Sequence, residues 1–435
     1  MRTNESCLLH SIFLNLLKSL QPITFSLSSV PFVYETRLVS SQVLLINLCN
    51  YLWYLYLFKG LYNRLKNYQH TMSQISDVDI RPMRDDERQN VYAIMRRAFP
   101  LVDRWFFSWT PNVLVAEQGG QLLGAIVLKL FPLPHNRKGG SISWVFTAPE
   151  VRGRGLGQRL VESGLDFFER QGCDEILTTV EGFNTSSSKL FATRGFRILS
   201  PGTQFRRYGL ATFAVWVKVF HYLDVGHFLW VRRTSPEADS ATLQWWGTIL
   251  ANSLIGLLML WRLDGSKAIS LGMWMVLTLM LVVLFGLRYL GMCLMAQKQG
   301  LKVRFRAWES GFPLSIIITL IFAGAIYPIP GGVYPTTNQW RYRDLLPKLG
   351  WIALAGTLPV LIMLWGVCAI LQLNVPPPYF RPWLSIMLLL GKPLLLFDIA
   401  IPFFPFISFN SRRLWDWNKI IWVVMTATVV ALFLV

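Results

Sequence analysis

The stretch SISWVFTAPEVRGRGLGQRL, residues 141–160, decides the fold of the water-facing part of this chain. SISWVFT is typical of a β-strand, and the residues from Gly157 onward are typical of an amphipathic helix. The turn between them has the spacing R-x-x-G-x-G at Arg152, Gly155 and Gly157, which leaves successive backbone N–H groups free at the positive end of the helix dipole. Glycines let an anion approach the backbone closely, and the arginines add positive charge. The stretch therefore predicts a loop that binds pyrophosphate.

The elements around this loop predict a compact α+β domain over residues 76–210. A glycine-rich loop alone is also common as an ordinary turn, so the order of its neighbours matters. VDIRPM predicts a strand, a helix follows Asp85 and Asp86, and Gly119-Gly120 joins the two strands of a hairpin. EILTTVE predicts a further strand and NTSSSKLFATRG a short helix ending at Gly195. The segment FRILSPGTQFRRYGL, residues 196–210, is expected to supply the closing strands.

In two segments, V-R-G-R-G-L-G-Q-R-L and N-x-x-S-x-x-L-F-x-x-x-G-F, this domain resembles the Gcn5-related N-acetyltransferase (GNAT) family. The resemblance implies a mixed, largely antiparallel sheet that binds acetyl-CoA. It implies that the backbone of Val145 and Thr147 pairs with the pantetheine arm, and that Asn184 and Ser187 reach the pantetheine or adenosine side. The residues that it places around the pyrophosphate are Arg152, Gly153, Arg154, Gly155, Leu156, Gly157 and Gln158.

Catalysis by such a domain requires a base for the acceptor amine and an acid for the leaving thiolate. The family often places a tyrosine on its last helix for the acid role, but this chain has Phe191, which cannot donate a proton and is expected to pack in the core. Glu181, at the end of EILTTVE, is the candidate base, although a carboxylate at a strand end can equally be an ordinary solvated group. Ser188 or its neighbour Ser187 is the candidate partner of the thiolate.

The composition indicates a membrane protein. The chain is 53% apolar with only 15% charged residues, and the charges become sparse after Ser240. Its net charge of +18 fits the lysines and arginines that membrane proteins keep on cytoplasmic loops beside anionic lipid. Because there is no basic helix and no aromatic-plus-basic strand, nucleic acid is not an expected partner. The five scattered cysteines form no CxxC pair and are predicted to be reduced thiols.

Residues 241–435 predict a multipass helical domain. Five spans are expected at about 242–261, 270–292, 349–373, 382–406 and 418–435, while 312–328 is either a span or a re-entrant element. With a cytoplasmic acyltransferase domain, the loops carrying Arg341 and Arg412 lie inside only if 312–328 turns back. The positive-inside rule therefore favours five spans plus a re-entrant element, with the C-terminus outside.

The order of elements from about 270 to 425 resembles the site-2 protease family of intramembrane metalloproteases. RYLGMCLMAQKQGLKVRF lies where that family has H-E-x-x-H, and FPFISFNSRRLWDWNKIIW lies where an Asp-Gly pair completes its zinc site. The corresponding positions here hold Arg288, Tyr289, Leu290, Gly291 and Met292, and then Asn410 and Ser411. All five histidines precede Ser240, so neither a metal site nor a working zinc protease is predicted. His221 and His227 are interpreted as ordinary interfacial histidines.

Two segments outside these domains have their own interpretations. Residues 1–71 contain either a transmembrane or interfacial helix at 43–62 or a non-native extension, because Met72 opens a normal start for a soluble domain. Residues 211–240 are aromatic and mixed, which predicts an interfacial linker helix.

The sequence thus predicts an integral protein of the cell membrane whose cytoplasmic GNAT domain transfers an acetyl group from acetyl-CoA to an amine. The expected partners are acetyl-CoA, the lipid bilayer and an acceptor that is a membrane protein or a small-molecule amine. The alternative is a non-catalytic, CoA-binding pseudoprotease scaffold. A thermal shift with acetyl-CoA followed by a thiol-release assay would separate the two.

Overall fold

The computed structural model describes residues 78–232, 240–265, 270–322, 325–336 and 340–435. The prediction for residues 1–71 lies outside these ranges. Residues 74–435 form one compact unit, so the two predicted domains pack directly on each other.

The N-terminal part contains a seven-stranded sheet in the order β1-β2-β3-β4-β5-β7-β6. All neighbouring strands are antiparallel except β4 and β5, which are parallel. The strands are β1 (Asp79–Pro82), β2 (Asn112–Gln118), β3 (Gln121–Leu133), β4 (Arg137–Thr147), β5 (Glu175–Glu181), β6 (Phe196–Ile198) and β7 (His227–Arg232). The prediction of a mixed, largely antiparallel α+β domain is confirmed.

Helices cover both faces of this sheet. They are α1 (Arg88–Ala98), α2 (Leu101–Arg104), α3 (Leu156–Arg170), α4 (Thr185–Ala192), α5 (Pro201–Tyr208) and α6 (Thr212–Val219). Alternate residues of β3 point to opposite faces: Ile126 belongs to the core under α3 and α4, whereas Val127 belongs to the core under α1. The core of α5 and α6 includes Phe131 and Leu133, which lie on the α1 face. The sheet therefore has an α3/α4 face and an α1/α5/α6 face.

The closing strands differ from the prediction. Only β6 lies in residues 196–210, where the rest forms α5. The second strand, β7, lies inside the predicted linker 211–240. In the described residues of that linker, α6 is the only helix longer than one turn. Phe228 and Trp230 are buried on one face of β7 and Leu229 and Val231 on the other. A strand covered on both faces has no polar–apolar alternation, which is why its sequence looked like part of an apolar helix.

The C-terminal part is helical, as predicted. Its elements are α7 (Ala241–Asp264), α8 (Leu271–Lys298), β8 (Val303–Arg306), α9 (Phe312–Ile321), β9 (Gly332–Pro335), α10 (Tyr342–Gln372), α11 (Arg381–Leu395), α12 (Asn410–Trp417) and α13 (Lys419–Leu434). Strands β8 and β9 form a separate antiparallel pair. In the described residues, four helices are long and apolar enough to cross a membrane: 241–263, 271–298, 342–372 and 381–400.

The remaining predicted spans are shorter than expected. Helix α13 has 16 residues, which is about 24 Å at 1.5 Å per residue, against about 30 Å of hydrocarbon. Helix α11 continues as a π-helical turn only to Ala400, and not to residue 406. In the stretch 312–328, helix α9 has ten residues, about 15 Å, so it is too short to span.

Candidate functional site

The predicted phosphate loop forms a sharp turn at the start of α3. Gly153 and Gly155 have φ values of +80° and +83°, which L side chains rarely adopt. A Cβ at either position, or at Gly157, would meet nothing within 4 Å, so the loop faces open space. The backbone N–H groups of residues 153–157, at the N-terminus of α3, have no hydrogen-bond acceptor among the described residues. Such a group of free N–H donors fits a pyrophosphate.

The side chains of this loop have separate roles. Arg152 donates from Nη2 to the carbonyl oxygen of Ala98 at 2.8 Å and so ties the loop to the end of α1. Arg154 is exposed and makes no hydrogen bond or ion pair with another described residue. Leu156 is buried and anchors the first turn of α3 in the core, whereas Gln158 is exposed. Arg154 is therefore the loop arginine that is free to meet a ligand.

Strands β4 and β5 separate beside the loop. Their parallel pairing runs from Gly139 opposite Glu175 to Ile142 opposite Thr178 and then ends. At that point the register with β3 shifts so that Ser143 is an extra residue on β4, and such a bulge bends a strand. Val145 and Thr147 lie beyond it, paired with β3 but with no partner on β5. The gap exposes a strand edge of the kind that the pantetheine arm would need.

The short helix α4 lies on the other side of this gap. The side chain of Asn184 accepts a hydrogen bond from the backbone N–H of Ser187 at 3.1 Å and caps the helix. Arg194, two residues after the helix, donates to Glu162 of α3 at 2.5 Å. Ser188 lines a cleft of about 290 Å³ shared with β8 and β9. Ser187 is not among the residues that line this cleft.

Phe191 lies in the core, as expected. Its side chain is 3% exposed and packs edge-on against Phe196, with 5.2 Å between ring centroids. The position that carries the family's acid therefore holds an apolar packing residue.

Glu181 is half-buried on the α1/α5/α6 face of the sheet, like Leu177 four residues before it. Its Oε2 accepts from the backbone N–H of Phe183 at 2.8 Å, and its Oε1 accepts from the hydroxyl of Ser408 at 2.8 Å. Burial raises the pKa of this carboxyl above its ordinary value, and the two hydrogen bonds only partly offset that effect. A carboxylate with a raised pKa is a stronger base than an ordinary carboxylate.

Sequence reasoning missed the polar cluster beside Glu181. His227 lies directly opposite Glu181 in the β5–β7 register, so both side chains are on the same face. Burial lowers the pKa of His227 to about 4, which keeps the imidazole neutral at pH 7. A neutral imidazole on this face lies 3.1 Å, through Nδ1, from the carbonyl oxygen of Asp224.

His221 completes this cluster, which we define as His221, Asp224, His227 and Glu309. His221 is fully buried, and its Nε2 lies 3.3 Å from Oε1 of Glu309. Burial opposes protonation of His221, but Glu309 and Asp224 outweigh it and raise its pKa. Burial also raises the pKa of Asp224 to about 7. The interpretation of His221 and His227 as ordinary interfacial residues is therefore corrected. No local pattern could have found the cluster, because Glu309 is 88 residues from His221.

The positions that resemble a protease metal centre lie together in the helical part. The guanidinium of Arg288 binds both carboxylate oxygens of Asp398, from Nε at 2.8 Å and from Nη2 at 2.9 Å. Asn410 donates from Nδ2 to Asp398 at 2.9 Å and lies 3.9 Å from the sulfur of Met292. These side chains do not fit zinc, because a guanidinium repels a cation and offers no lone pair. Within the described residues, no group of three His, Cys, Asp or Glu side chains could hold a metal ion.

Comparison with known proteins found similarity to an acetyltransferase family and to a metalloprotease. Residues 80–196 match the acetyltransferase (GNAT) family and form a domain of that family. The chain is 33% identical over 132 residues to a predicted zinc metalloprotease of Methanocaldococcus jannaschii, which covers 30% of this chain and 63% of that protein. It is 33% identical over 89 residues to N-alpha-acetyltransferase 30 of Saccharomyces cerevisiae, which covers 20% of this chain and 46% of that protein. The chain thus spans less than two thirds of either relative.

Among solved structures, the chain is similar to the NatC complex bound to Gag peptide and CoA. That likeness has 22% sequence identity and a TM-score of 0.27, and it covers 37% of this chain and 99% of the other.

Proposed function

We propose that this chain is a membrane-anchored N-acetyltransferase that transfers the acetyl group of acetyl-CoA to an amine. The observation that carries the proposal is the joint arrangement of the glycine turn at the start of α3 and the gap between β4 and β5. The turn offers free N–H donors for a pyrophosphate, and the gap offers a strand edge for the pantetheine arm. Two independent features of the GNAT domain thus suit one donor.

The residues around the gap support roles in this reaction. Gly153, Gly155 and Arg154 would hold the pyrophosphate, and the backbone of Val145 and Thr147 would bind the pantetheine arm. Acetyl-CoA supplies the acetyl thioester; the amine nitrogen bonds to its carbonyl carbon while the carbon–sulfur bond breaks. Glu181 would take the proton that the amine must lose, since an ammonium has no lone pair. His227, on the same face, would stay neutral beside Glu181, because burial lowers its pKa to about 4.

Contacts between the GNAT domain and the helical part support a GNAT domain that lies against the membrane surface. Phe106, just after α2, packs on Phe220 after α6 and on Phe404 of the helical part, with centroid distances of 5.7 and 4.8 Å. Trp105 and Leu101 beside it are 73% and 62% exposed, which suits contact with a lipid surface. We infer that the GNAT domain lies on the cytoplasmic surface of the cell membrane. We also infer that the helical part does not hydrolyse peptides, because the Arg288 guanidinium stands where zinc would have to bind.

The second candidate function is a CoA-binding scaffold without turnover. Phe191 favours it, because this chain lacks the hydroxyl that often protonates the thiolate in the family. The hydrogen bonds on both oxygens of Glu181 are also compatible with a purely structural carboxylate.

The two functions are separated by measuring binding and turnover on the full chain in detergent. Acetyl-CoA should raise the melting temperature of the wild type and of Gly172→Val, but not that of Gly155→Val. Both glycines have positive φ, +66° and +83°, but only Gly155 lies in the loop. Thiol release is then followed with peptides bearing free N-termini and with small and lipid-like amines. Stabilisation without release on any amine supports the scaffold, and no stabilisation by acetyl-CoA contradicts both.

A further inference from the structure

A buried ion pair in the helical part begins a chain of contacts that ends at Glu181. Arg288 and Asp398 are each 1% exposed, and the guanidinium holds the carboxylate through two nitrogen atoms. The third nitrogen of Arg288 donates to the carbonyl oxygen of Gly331 at 2.9 Å. A bidentate pair of this kind fixes both side chains in orientation as well as in distance. Asp398 therefore has a defined position in the fold.

Asp398 in turn fixes the start of α12. Its carboxylate accepts from the backbone N–H of Asn410 at 3.1 Å and from the side-chain amide at 2.9 Å. The amide oxygen of Asn410 accepts from Arg413 at 2.6 Å, and Arg413 also donates to the carbonyl oxygen of Ser408 at 3.2 Å. Ser408, Asn410 and Arg413 are all buried. The backbone on both sides of Ser408 is thus held by charged or amide groups.

Ser408 makes the contact with the GNAT domain. Its hydroxyl donates to Oε1 of Glu181 at 2.8 Å, over 227 residues of sequence. Gly226, before β7, lies so close to Ser408 that an added Cβ would be 2.2 Å from it, and the Arg413 guanidinium lies 4.1 Å over the ring of Phe183. The two domains therefore meet tightly at the end of β5, and the serine has little freedom to turn away.

We propose that Arg288, Asp398 and Asn410 are positioning residues for the GNAT site: they hold Ser408 so that its hydroxyl orients the carboxylate of Glu181. The helical part thereby supplies a hydrogen bond to a carboxylate of the GNAT domain. The inference rests on the proposed function for the role of Glu181 as base. The effect of the helical part on the titration of Glu181 can be measured without acetyl transfer.

Other groups also face Glu181 and bear on its protonation. Arg413 favours its ionised form, and the phenols of Tyr334 and Tyr342 interact with its charge. His227 faces it from β7 but stays neutral above about pH 4. Removing the Ser408 hydroxyl takes away its hydrogen bond to Glu181 and its interaction with the phenol of Tyr334, and it leaves Arg413, Tyr342 and His227 in place.

The experiment follows the C=O stretch of protonated Glu181 by infrared difference spectroscopy during a pH titration of the full chain in nanodiscs. Glu181→Gln identifies the band. Ser408→Ala should raise the midpoint by about one to two pH units, because a hydrogen bond to a charged group contributes about 1.5–3 kcal/mol and one pH unit is about 1.4 kcal/mol. Thr357→Ala also removes a buried hydroxyl from the helical part, but outside this chain of contacts, and should leave the midpoint unchanged.

The remote variant is Arg288→Met/Asp398→Leu, which removes both charges and so leaves no buried charge unpaired. It should raise the midpoint as Ser408→Ala does, and adding Ser408→Ala to it should give little further shift, since both act through one contact. A wild-type midpoint in the double variant, additive shifts, or an equal shift in Thr357→Ala would overturn the proposal. If the shifts appear but the wild type transfers acetyl to no amine, the positioning stands and the proposed function fails.

Discussion

Replacing Gly226 by alanine tests the contact between the GNAT domain and the helical part. Gly226 has a φ of +77°, and its added Cβ would lie 2.2 Å from both Cβ and Oγ of Ser408. Ordinary van der Waals contact begins at 3.4 Å, so one side must move by 3.4 minus 2.2, or 1.2 Å. The atom that it meets first is bonded to the backbone, so a rotamer change of Ser408 cannot relieve the clash.

The free-energy cost has two parts that a control variant separates. A left-handed φ costs an L residue about 1–2 kcal/mol. Overpacking of a well-packed interface costs about 1–3 kcal/mol more. Gly172, at the end of α3, has a φ of +66° and nothing within 4 Å of an added Cβ, so Gly172→Ala has only the first part. The difference between the two variants should therefore be about 1–3 kcal/mol.

The assay is thermal unfolding of the full chain in detergent, at one scan rate because large proteins often unfold irreversibly. In a domain of about 150–250 residues, 1 kcal/mol moves the midpoint by about 2–4 °C. Gly226→Ala should thus melt roughly 2–12 °C below Gly172→Ala. Equal midpoints would refute the tight packing of Ser408 on the turn before β7, and with it the described interface.

Four further predictions concern the carboxyl groups and the topology. Glu181→Gln should lower acetyl transfer by about 10²-fold without changing acetyl-CoA binding, and undiminished turnover would place the base elsewhere. Because burial raises the pKa of Glu181, the wild-type rate should fall as the pH falls through that raised value. The hydrogen bond from Arg81 lowers the pKa of Glu87 from 4.5 to about 2, so the stabilisation by this pair is present above pH 4.5 and lost as the pH falls towards 2. The difference in melting temperature between Arg81→Met and wild type should therefore shrink over that range, and a constant difference would contradict the pair. Asp398→Ala leaves Arg288 buried and unpaired and should cost about 3–5 kcal/mol. Arg288→Met/Asp398→Leu should cost less, because it leaves only the neutral partners of the pair, Asn410 and the Gly331 carbonyl, without their hydrogen bonds, and equal losses in both variants would argue against the pair. A reporter fusion at Thr336 should report inside, because α9 is too short to span the bilayer, and an external signal there would contradict the topology predicted from the positive-inside rule.

Much of the fold was predictable because its signals are local. The glycines of the phosphate loop adopt positive φ values that few other residues tolerate, so their spacing is visible in any sequence that forms this turn. Four of the five predicted spans correspond to long apolar helices, since a bilayer selects for length and apolarity. The replacement of the metal-binding positions by Arg288, Met292 and Asn410 was also readable residue by residue.

The strand β7 was not predictable from local pattern. It is inserted between β5 and β6 after α5 and α6, and it is buried on both faces. Burial on both faces removes the alternation that identifies strands, so its apolar run looked like part of a linker helix. The place of its first residue, His227, opposite Glu181 was not predicted for the same reason.

The sequence by itself determined the two halves of the molecule, the glycine turn at the start of α3 and the side chains Arg288, Met292 and Asn410 of the helical part. The tertiary structure alone decided which polar groups meet: Glu181 with Ser408, Arg288 with Asp398, and His221 with Glu309, over separations of 227, 110 and 88 residues. The physical reason is that backbone conformation and apolar periodicity are set by neighbours in sequence. The partner of a buried charge is set instead by which elements pack together, and no short segment contains that information.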